Sequence, residues 1–543
     1  MQQIRSTRFI TLLCLSLGLL ACEAKEASVD RLLVNTEAGL VKGTLLQRAT
    51  QSVRGYLGIP YAQAPVGELR WQPPQKVKPW QGIKDTRHFS NDCMQIPFPG
   101  DAAPLGEPVS EDCLYLNVWT PNTSDQDKLP VMVWLHGGGF VNGGASPSVY
   151  NGQAFAESGV VFVSLNYRLG RFGFFAHPAL SAENPDGPTG NYGFMDQIAA
   201  LEWVKNNIAN FGGDANNVTL FGESAGGRSV NVMMLSPQAK GLFHKAIVQS
   251  GGGRSESNGS VVYLDKEGKG AKPSAEQIGV AFATSVGIDS ESQQAMAELR
   301  ALPVEKVLSG LNMASMNVPT YSGPMIDGKV VLEDDESGFT AGHQMKIPYF
   351  VGSNDFEWGF LKDYNPNGAQ MIAKGALAQA SDPNAFLAAY QPFVPDQNGQ
   401  VNMAFLGSMI FGDRSFVEPA RFLARQTSKV GQATWFYRFT YVPTSLEGKV
   451  DGAYHASEIP FVFATGEARY SDSFSQSDKQ VSKDMHKAWV NFAKVGNPSI
   501  EGQEAWLKFN PNNEKVIEFN AMGAVVKVDP LAIRLEQITS LAE

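Results

Sequence analysis

Residues 218–230 read Val-Thr-Leu-Phe-Gly-Glu-Ser-Ala-Gly-Gly-Arg-Ser-Val, and they give the strongest indication of the fold. Its first four residues are typical of a buried strand, and the residues from Ala225 onward can begin a helix. Between them, residues 222–226 match Gly-x-Ser-x-Gly, the tight turn that presents a nucleophilic serine between a strand and a helix. The flanking glycines fit because a Cβ there is expected to clash with neighbouring chain. The alternative is a glycine-rich turn with an idle Ser224.

A second glycine-rich motif lies upstream. Residues 136–140 read His-Gly-Gly-Gly-Phe and directly follow the apolar strand candidate Val131–Leu135. Consecutive glycines free backbone N–H groups to converge on one point, as the oxyanion of an acyl-transfer intermediate requires. Such a loop acts together with the N–H of the residue after the serine, here Ala225. A flexible loop and a phosphate cradle are the alternatives, and no Gly-Lys-Ser/Thr follows to favour a cradle.

Strand-like and helix-like segments alternate along the body of the chain, which predicts an α/β fold with a mainly parallel sheet. The strand candidates are Val131–Leu135, Val160–Leu165, Val218–Phe221, Ala246–Gln249, Tyr349–Val351 and Thr434–Phe439. The helix candidates include Phe194–Ala209, Ala225–Leu235 and Asp478–Val495. Asp478 is expected to cap the last of these and Gly496 to end it. Segments 253–320 and 360–430 are predicted to be helical insertions rather than separate domains.

Composition excludes some classes of partner. The 543 residues are 43% hydrophobic and 18% charged, as in an ordinary globular protein, and the net charge is -10. We find no basic cluster in the sequence to offset this charge, so nucleic acid is not an expected partner. No zinc-type His/Cys spacing is evident, and no metal or organic cofactor is expected.

The N-terminus has the features of an export signal. Arg5 and Arg8 precede an apolar run, Phe9–Ala21, that is too short to span a bilayer. Residues 19–22 read Leu-Leu-Ala-Cys and resemble a bacterial lipoprotein signal, in which Cys22 carries the lipid. Ordinary signal-peptidase cleavage nearby is the alternative.

These features divide the chain into a signal peptide at 1–21, a polar tether at 22–30 and a single domain at 31–543. The glutamate after Cys22 favours the outer membrane by analogy, so we expect a periplasmic or outer-membrane lipoprotein, or alternatively a secreted protein. Contact with the membrane is expected only through the lipid.

The four cysteines support export. Cys14 leaves with the signal and Cys22 would carry lipid, which leaves Cys93 and Cys113. An oxidising compartment would join these two in a disulfide, and two unrelated buried thiols are the alternative.

Further motifs recur in order over nearly the whole mature sequence, and with them the chain resembles the type-B carboxylesterase and cholinesterase family. The resemblance implies the α/β-hydrolase fold, a large and mostly parallel central sheet flanked by helices, with helical insertions. The matching segments are 55–62, 111–117, 136–140, 166–170, 190–193 with 196–197, and 211–214.

The resemblance also assigns a base and an acid to Ser224. The order serine, acid, histidine in this fold leaves three of the seven histidines as bases. Of these, only His455 lies in the family's histidine pattern, so His343 and His486 are expected to be surface or structural residues. Glu357 falls on the family's acid position, and Asp355 is the runner-up.

The implied activity is hydrolysis of a small-molecule carboxylic ester through an acyl-enzyme, catalysed by Ser224, His455 and Glu357. The implied oxyanion donors are the N–H groups of Gly138, Gly139 and Ala225. A lactone, carbamate, thioester or amide would follow the same route and remains an alternative. A second alternative is a non-catalytic adhesion ectodomain, which the presence of all three catalytic residue types disfavours.

The resemblance further implies a buried Arg70–Glu111 ion pair and a Cys93–Cys113 disulfide at the rim of the site. Glu223 either tunes His455 electrostatically or is a simple turn residue. In cholinesterases, a tryptophan between the two cysteines stacks on the quaternary ammonium of the substrate. Residues 94–112 hold no Trp or Tyr, so no preference for choline esters is expected unless a distant residue such as Trp358 replaces it.

Overall fold

The computed structural model describes residues 31–47, 52–98, 100–123, 127–255, 261–292, 294–397, 400–503 and 505–542. The predicted signal peptide, tether and lipidated Cys22 lie outside these residues. The described residues from Leu32 onward belong to one compact unit.

Eleven strands of the described chain form one sheet, and we number them in chain order. They are β1 (Thr44–Leu46), β2 (Val53–Pro60), β3 (Tyr115–Pro121), β4 (Leu129–Leu135), β5 (Val161–Leu165), β6 (Gly213–Glu223), β7 (Lys245–Gln249), β8 (Tyr349–Asn354), β9 (Thr434–Phe439), β10 (Lys515–Asn520) and β11 (Gly523–Val528). Across the sheet their order is β1-β2-β3-β5-β4-β6-β7-β8-β9-β10-β11.

The middle of this sheet is parallel and its edges are antiparallel. The strands from β5 to β10 pair in parallel, whereas β1, β2 and β3 pair antiparallel on one side and β11 on the other. The α/β prediction with a mostly parallel sheet is therefore confirmed. Parallel strands are covered on both faces, which explains why their sequences are nearly continuous apolar runs.

The two faces of β4 show how the core is divided. Val131, Val133 and Leu135 belong to one buried cluster, and Met132 and Trp134 belong to another. Successive side chains of a strand point to opposite faces, so one apolar strand contributes to both halves of the core.

Helices cover both faces of the sheet. The longer ones are α1 (Tyr192–Asn207), α2 (Ala225–Leu235), α3 (Ala275–Ser285), α4 (Pro366–Gln379), α5 (Pro383–Tyr390), α6 (Met403–Gly412), α7 (Glu418–Lys429), α8 (Gln476–Val495) and α9 (Ala532–Ala542). Shorter helices span Gln153–Glu157, Gly170–Gly173, Pro178–Glu183, Ala295–Arg300, Val304–Leu308, Asp335–Ala341, Leu361–Tyr364, Ile459–Val462 and Gly466–Tyr470. The predicted insertions at 253–320 and 360–430 thus carry α3 and α4–α7. No helix of the described chain is long and apolar enough to cross a bilayer.

The start of α8 differs from the sequence prediction. Ser475, not Asp478, is the capping residue, and its side chain accepts a hydrogen bond from the Asp478 N–H. The Asp478 carboxylate in turn accepts from the Ser475 N–H at 2.7 Å. This reciprocal capping box places the acidic residue in the first turn and moves the helix start toward the N-terminus. Gly496 ends the helix with φ +70°, as predicted.

Candidate active site

Ser224 lies at a sharp turn between β6 and α2. Its backbone has φ 55° and ψ −121°, a strained conformation for a residue with a side chain. The turn has no room for a larger neighbour, because a Cβ on Gly226 would lie 1.9 Å from the carbonyl oxygen of Leu135. The Ser224 N–H donates to the Gln249 carbonyl on β7 at 2.9 Å. The turn therefore fixes the position of the Ser224 hydroxyl at the carboxyl end of the sheet.

The structure brings together the serine, histidine and glutamate singled out from the sequence. His455 Nε2 lies 2.9 Å from Ser224 Oγ, and His455 Nδ1 lies 2.6 Å from Glu357 Oε2. Glu357 follows β8, and His455 lies in the loop that follows β9. Neighbouring parallel strands end at the same edge of the sheet, so residues separated widely in sequence meet there.

Glu357 is held in place by its own hydrogen bonds. Its carboxylate is fully buried and accepts from Ser250 Oγ at 2.6 Å and from the Asn354 N–H at 2.8 Å. Its backbone carbonyl accepts from the His455 N–H at 2.9 Å. The acid and the histidine loop are therefore connected through both side chains and backbone.

Asp355, the runner-up for the acid, is used differently. Its carboxylate accepts from the Ala453 N–H at 2.9 Å, and no contact with His455 is present among the described residues. Burial raises the pKa of Asp355 to about 6. The geometry thus favours Glu357 as the partner of the imidazole.

Glu223 brings a second carboxylate to the imidazole. Its Oε1 lies 3.2 Å from His455 Nε2, is buried, and has no other partner in the described part of the chain. Burial raises the pKa of Glu223, and the charge of His455 opposes that rise. Burial lowers the pKa of His455, but Glu223 and Glu357 more than offset this and raise it above its usual value. Of the two interpretations of Glu223, electrostatic contact with the histidine is the one that this geometry supports.

A buried polar network behind the site was not predicted from the sequence. Glu458 accepts from Gln249 Nε2 at 2.9 Å and from Asn354 Nδ2 at 2.8 Å. The Gln249 carbonyl also accepts a hydrogen bond from the Ser224 N–H, so the network joins the nucleophile turn to the histidine loop. The sequence offered two signals for this network: Glu458 lies three residues after His455, and Gln249 ends a strand. Neither position identifies a hydrogen-bond partner.

The glycine loop lies against the serine. A Cβ on Gly137 would lie 3.1 Å from Ser224 Cβ. Gly138 and Gly139 have φ values of +105° and +62°, which a residue with a side chain rarely adopts. In the described part of the chain, the N–H groups of Gly138, Gly139 and Ala225 donate to no protein acceptor. These three donors are therefore free for a ligand.

A cavity of about 340 Å³ opens above Ser224 and His455. Its remaining wall is largely aromatic and apolar and includes Phe98, Tyr150, Met313, Phe360 and Tyr454. The His455 ring stacks on Phe416 at 4.4 Å between ring centres, and Trp358 lies parallel to it at 6.3 Å. Trp358 is not among the residues that line the cavity.

Residues at the periphery also lie where the family resemblance implied. Arg70 and Glu111 form a two-pronged ion pair at 2.6 and 2.8 Å, and Cys93 and Cys113 form a disulfide.

The two other candidate histidines lie away from Ser224. His343 is exposed and pairs with Glu333, and His486 is buried against the Val462 carbonyl. Within the described residues, no cluster of three or more His, Cys, Asp or Glu side chains could hold a metal ion.

Comparison with known proteins identifies the family of the chain. The Carboxylesterase family matches residues 30–532. A fumonisin B1 esterase of Sphingopyxis macrogoltabida is 34% identical over 90% of this chain and 87% of its own length. A medium-chain fatty acyl-CoA hydrolase precursor of Anas platyrhynchos is 34% identical over 94% of this chain and 92% of its own length. Carboxylesterase 1E of Rattus norvegicus is 35% identical over 88% of each chain. The chain therefore belongs to the carboxylesterase family and is a carboxylesterase with the α/β-hydrolase fold.

Proposed function

We propose that this protein hydrolyses carboxylic esters through an acyl-enzyme in which Ser224 is the nucleophile, His455 the general base and acid, and Glu357 the group that orients His455. The observation that carries the proposal is the pair of contacts at 2.9 Å and 2.6 Å that links the three side chains. Such a linked serine, histidine and carboxylate activates an otherwise weak hydroxyl nucleophile.

In the first half-reaction, His455 Nε2 takes the Ser224 proton while Ser224 Oγ attacks the ester carbonyl. The Glu357 carboxylate accepts a hydrogen bond from Nδ1–H of the imidazole, which selects the tautomer with a free Nε2 and stabilises the imidazolium that forms. The negative oxygen of the intermediate accepts hydrogen bonds from the N–H groups of Gly138, Gly139 and Ala225. Loss of one such donor typically costs roughly 3–4 kcal/mol of barrier.

To complete this half-reaction, His455 donates its proton to the alcohol oxygen, and the C–O bond breaks to leave the acyl group as an ester on Ser224. In the second half-reaction, His455 removes a proton from water, which attacks the same carbonyl. Collapse of this second intermediate returns the proton to Ser224 and releases the acid. Every step uses groups of the chain itself and water.

The nucleophile is tested with Ser224→Ala and a fluorophosphonate probe. The wild-type protein should be labelled once, and the variant should lose both labelling and ester hydrolysis while its thermal unfolding midpoint stays near that of the wild type. Ser229→Ala is the matched control, because that hydroxyl is buried in α2 and bonded to the Ala225 carbonyl. Labelling of Ser224→Ala at the wild-type level would disprove the assignment.

We propose an uncharged ester of small or aromatic groups as the substrate, because the cavity wall is mainly aromatic and apolar. A thioester is the second candidate, since one relative is named a fatty acyl-CoA hydrolase. Values of kcat/KM for oxygen esters and thioesters that share the same acyl group separate the two. A consistent preference for the thioester would favour the second candidate.

We also propose that the protein is exported and anchored by a lipid on Cys22. The support is the short apolar run after Arg5 and Arg8 and the Leu-Leu-Ala-Cys sequence at 19–22. The intact mass of the mature protein should lack residues 1–21 and include a lipid on Cys22. A mature chain with an unmodified N-terminus would instead indicate an ordinary signal peptide.

A further inference from the structure

A second cavity, of about 240 Å³, lies beside the glycine loop. Its wall includes Gly139 and Phe140 of that loop and Arg228, one helical turn after Ser224. Phe194 and Val232 contribute from α1 and α2, and most of the wall comes from the segment between β7 and β8, including Met316 and Asp335. The cavity is therefore adjacent to the proposed oxyanion donors, although it is separate from the cavity above Ser224.

Two buried polar atoms in this second cavity make no hydrogen bond within the described chain. Arg228 Nε lies 3.9 Å from Asp335 Oδ2, which is too far for a hydrogen bond, and both atoms are buried without another partner in the described chain. Burial raises the pKa of Asp335 to about 6, although the charge of Arg228 opposes that rise. Unsatisfied buried polar atoms are costly, and two facing each other across one gap point to a missing polar ligand.

The charge balance of the cavity selects the kind of group that fits. Arg228 would repel a cation, and Asp335 would repel an anion. A hydroxyl group, in contrast, can accept a hydrogen bond from Arg228 and donate one to Asp335. The other acidic residues of the wall are already engaged. Glu333 pairs with His343 at 2.8 Å, and Asp334 caps the helix Asp335–Ala341.

Two methionines separate the second cavity from Ser224. A Cβ on Gly139 would lie 2.9 Å from the sulfur of Met313 and 3.3 Å from the methyl group of Met316. Met313 lines the catalytic cavity and Met316 lines the second one. Methionine side chains are unbranched and flexible, so a small rotation of these two can join the cavities.

The acyl part of an ester is the part that reaches the second cavity. His455 must protonate the leaving alcohol, and the histidine loop lines only the first cavity of the two. The acyl group stays on Ser224, which immediately precedes the helix that carries Arg228. The alcohol therefore lies on the His455 side and the acyl chain on the Arg228 side.

We infer that the cavity at Arg228 and Asp335 is an acyl subsite that binds a hydroxyl group on the acyl chain of the substrate. This inference rests on the proposed ester hydrolysis at Ser224. It narrows the substrate class to esters of hydroxy acids, with Met313 and Met316 moving apart to admit the chain.

The test uses 4-nitrophenyl esters of straight-chain acids of five to eight carbons, each with and without a terminal hydroxyl. For the wild-type protein, kcat/KM should favour the hydroxylated ester about tenfold at the chain length that reaches Arg228. Arg228→Met and Asp335→Ala should each lower this ratio several-fold, because each variant removes one of the two hydrogen bonds of the buried hydroxyl. Arg87→Met is the control, since Arg87 is exposed and pairs with Asp85 at the surface. It should keep the wild-type ratio.

Fluorophosphonate labelling of the wild-type protein separates this inference from the proposed function. Without labelling, the nucleophile assignment fails. If labelling is normal but the kcat/KM ratio of hydroxylated to plain ester is near one at every chain length, Arg228 and Asp335 bind only water and the inference fails. A stronger preference for a terminal carboxylate or amine would also overturn the inference, as would an unchanged ratio in both variants.

Discussion

The two sides of the glycine loop at residues 137–139 are built in different ways. On the His455 side, the groups come from strand ends, and Glu357 accepts hydrogen bonds from Ser250, Asn354 and His455. On the Arg228 side, the wall comes largely from the segment between β7 and β8, and Arg228 and Asp335 face each other without a bond.

This difference separates the chemistry from the recognition of substrate. Proton transfer needs atoms held within a few tenths of an ångström, which a bonded network at the end of a parallel sheet can supply. A substrate pocket needs only a complementary surface, so it can be built from a variable insertion with movable side chains. The bonded contacts of the His455 side predict large losses when its residues are changed.

The largest effects are expected from changing the acid and the base on the rigid side. Glu357→Gln should lower kcat roughly 10⁴-fold, because the amide stabilises neither the correct tautomer nor the imidazolium. His455→Ala should lose nearly all turnover. The matched change Asp355→Asn should cost much less, because Asp355 accepts from the Ala453 N–H and not from His455. Steady-state kinetics on one ester decide this, and a larger loss in Asp355→Asn would reverse the assignment of the acid.

Replacing glycine by alanine should have opposite effects on stability at the nucleophile turn and on an exposed helix face. Gly226→Ala should destabilise the fold by about 3 kcal/mol or more, because its Cβ would meet the Leu135 carbonyl at 1.9 Å. Gly375→Ala, in the exposed face of α4, should stabilise it by about 0.5–1 kcal/mol, since no atom lies within 4 Å of the added group. Thermal unfolding midpoints should therefore move in opposite directions. Equal shifts would show that the nucleophile turn is not specially constrained.

A smaller effect is expected from Glu223→Gln. His455 acts as a base only when neutral, and Glu223 favours its protonated form. Removing that charge lowers the pKa of His455, so the acidic limb of the profile of kcat/KM against pH should move to lower pH. Glu447→Gln, an exposed change of the same kind, should leave the limb in place. Movement of the limb to higher pH in Glu223→Gln would contradict the proposed contact.

The smallest effect concerns charged alcohols. Trp358 does not line the catalytic cavity, so it offers no stacking surface there to a quaternary ammonium. Acetylthiocholine should therefore be hydrolysed no better than an uncharged acetyl thioester of equal bulk. A kcat/KM ratio above roughly thirty, or about 2 kcal/mol, would reveal a cation site on the His455 side.

The local motifs were readable from the sequence, but their partners were not. The pattern at 222–226 predicted a strand, turn and helix, and the structure has them, with Gly226 at a position where a Cβ would meet the Leu135 carbonyl on β4. The capping of α8 was predicted one turn too late, since Asp478 and Ser475 both fit a helix start and only reciprocal hydrogen bonds choose between them. Glu458 was missed because its partners lie about one hundred and two hundred residues away in the chain.

The sequence by itself determined the α/β class, the family and the identity of the residues that meet at Ser224, because these depend on local periodicity and on motifs read in order. Only the tertiary structure decided that Glu223 contacts His455, that Trp358 does not face the substrate cavity, and that Arg228 and Asp335 share a second cavity. The physical reason is that each of these facts is a distance between side chains on different elements. Such distances are set by how strands and helices pack in the whole domain, and no single segment contains that information.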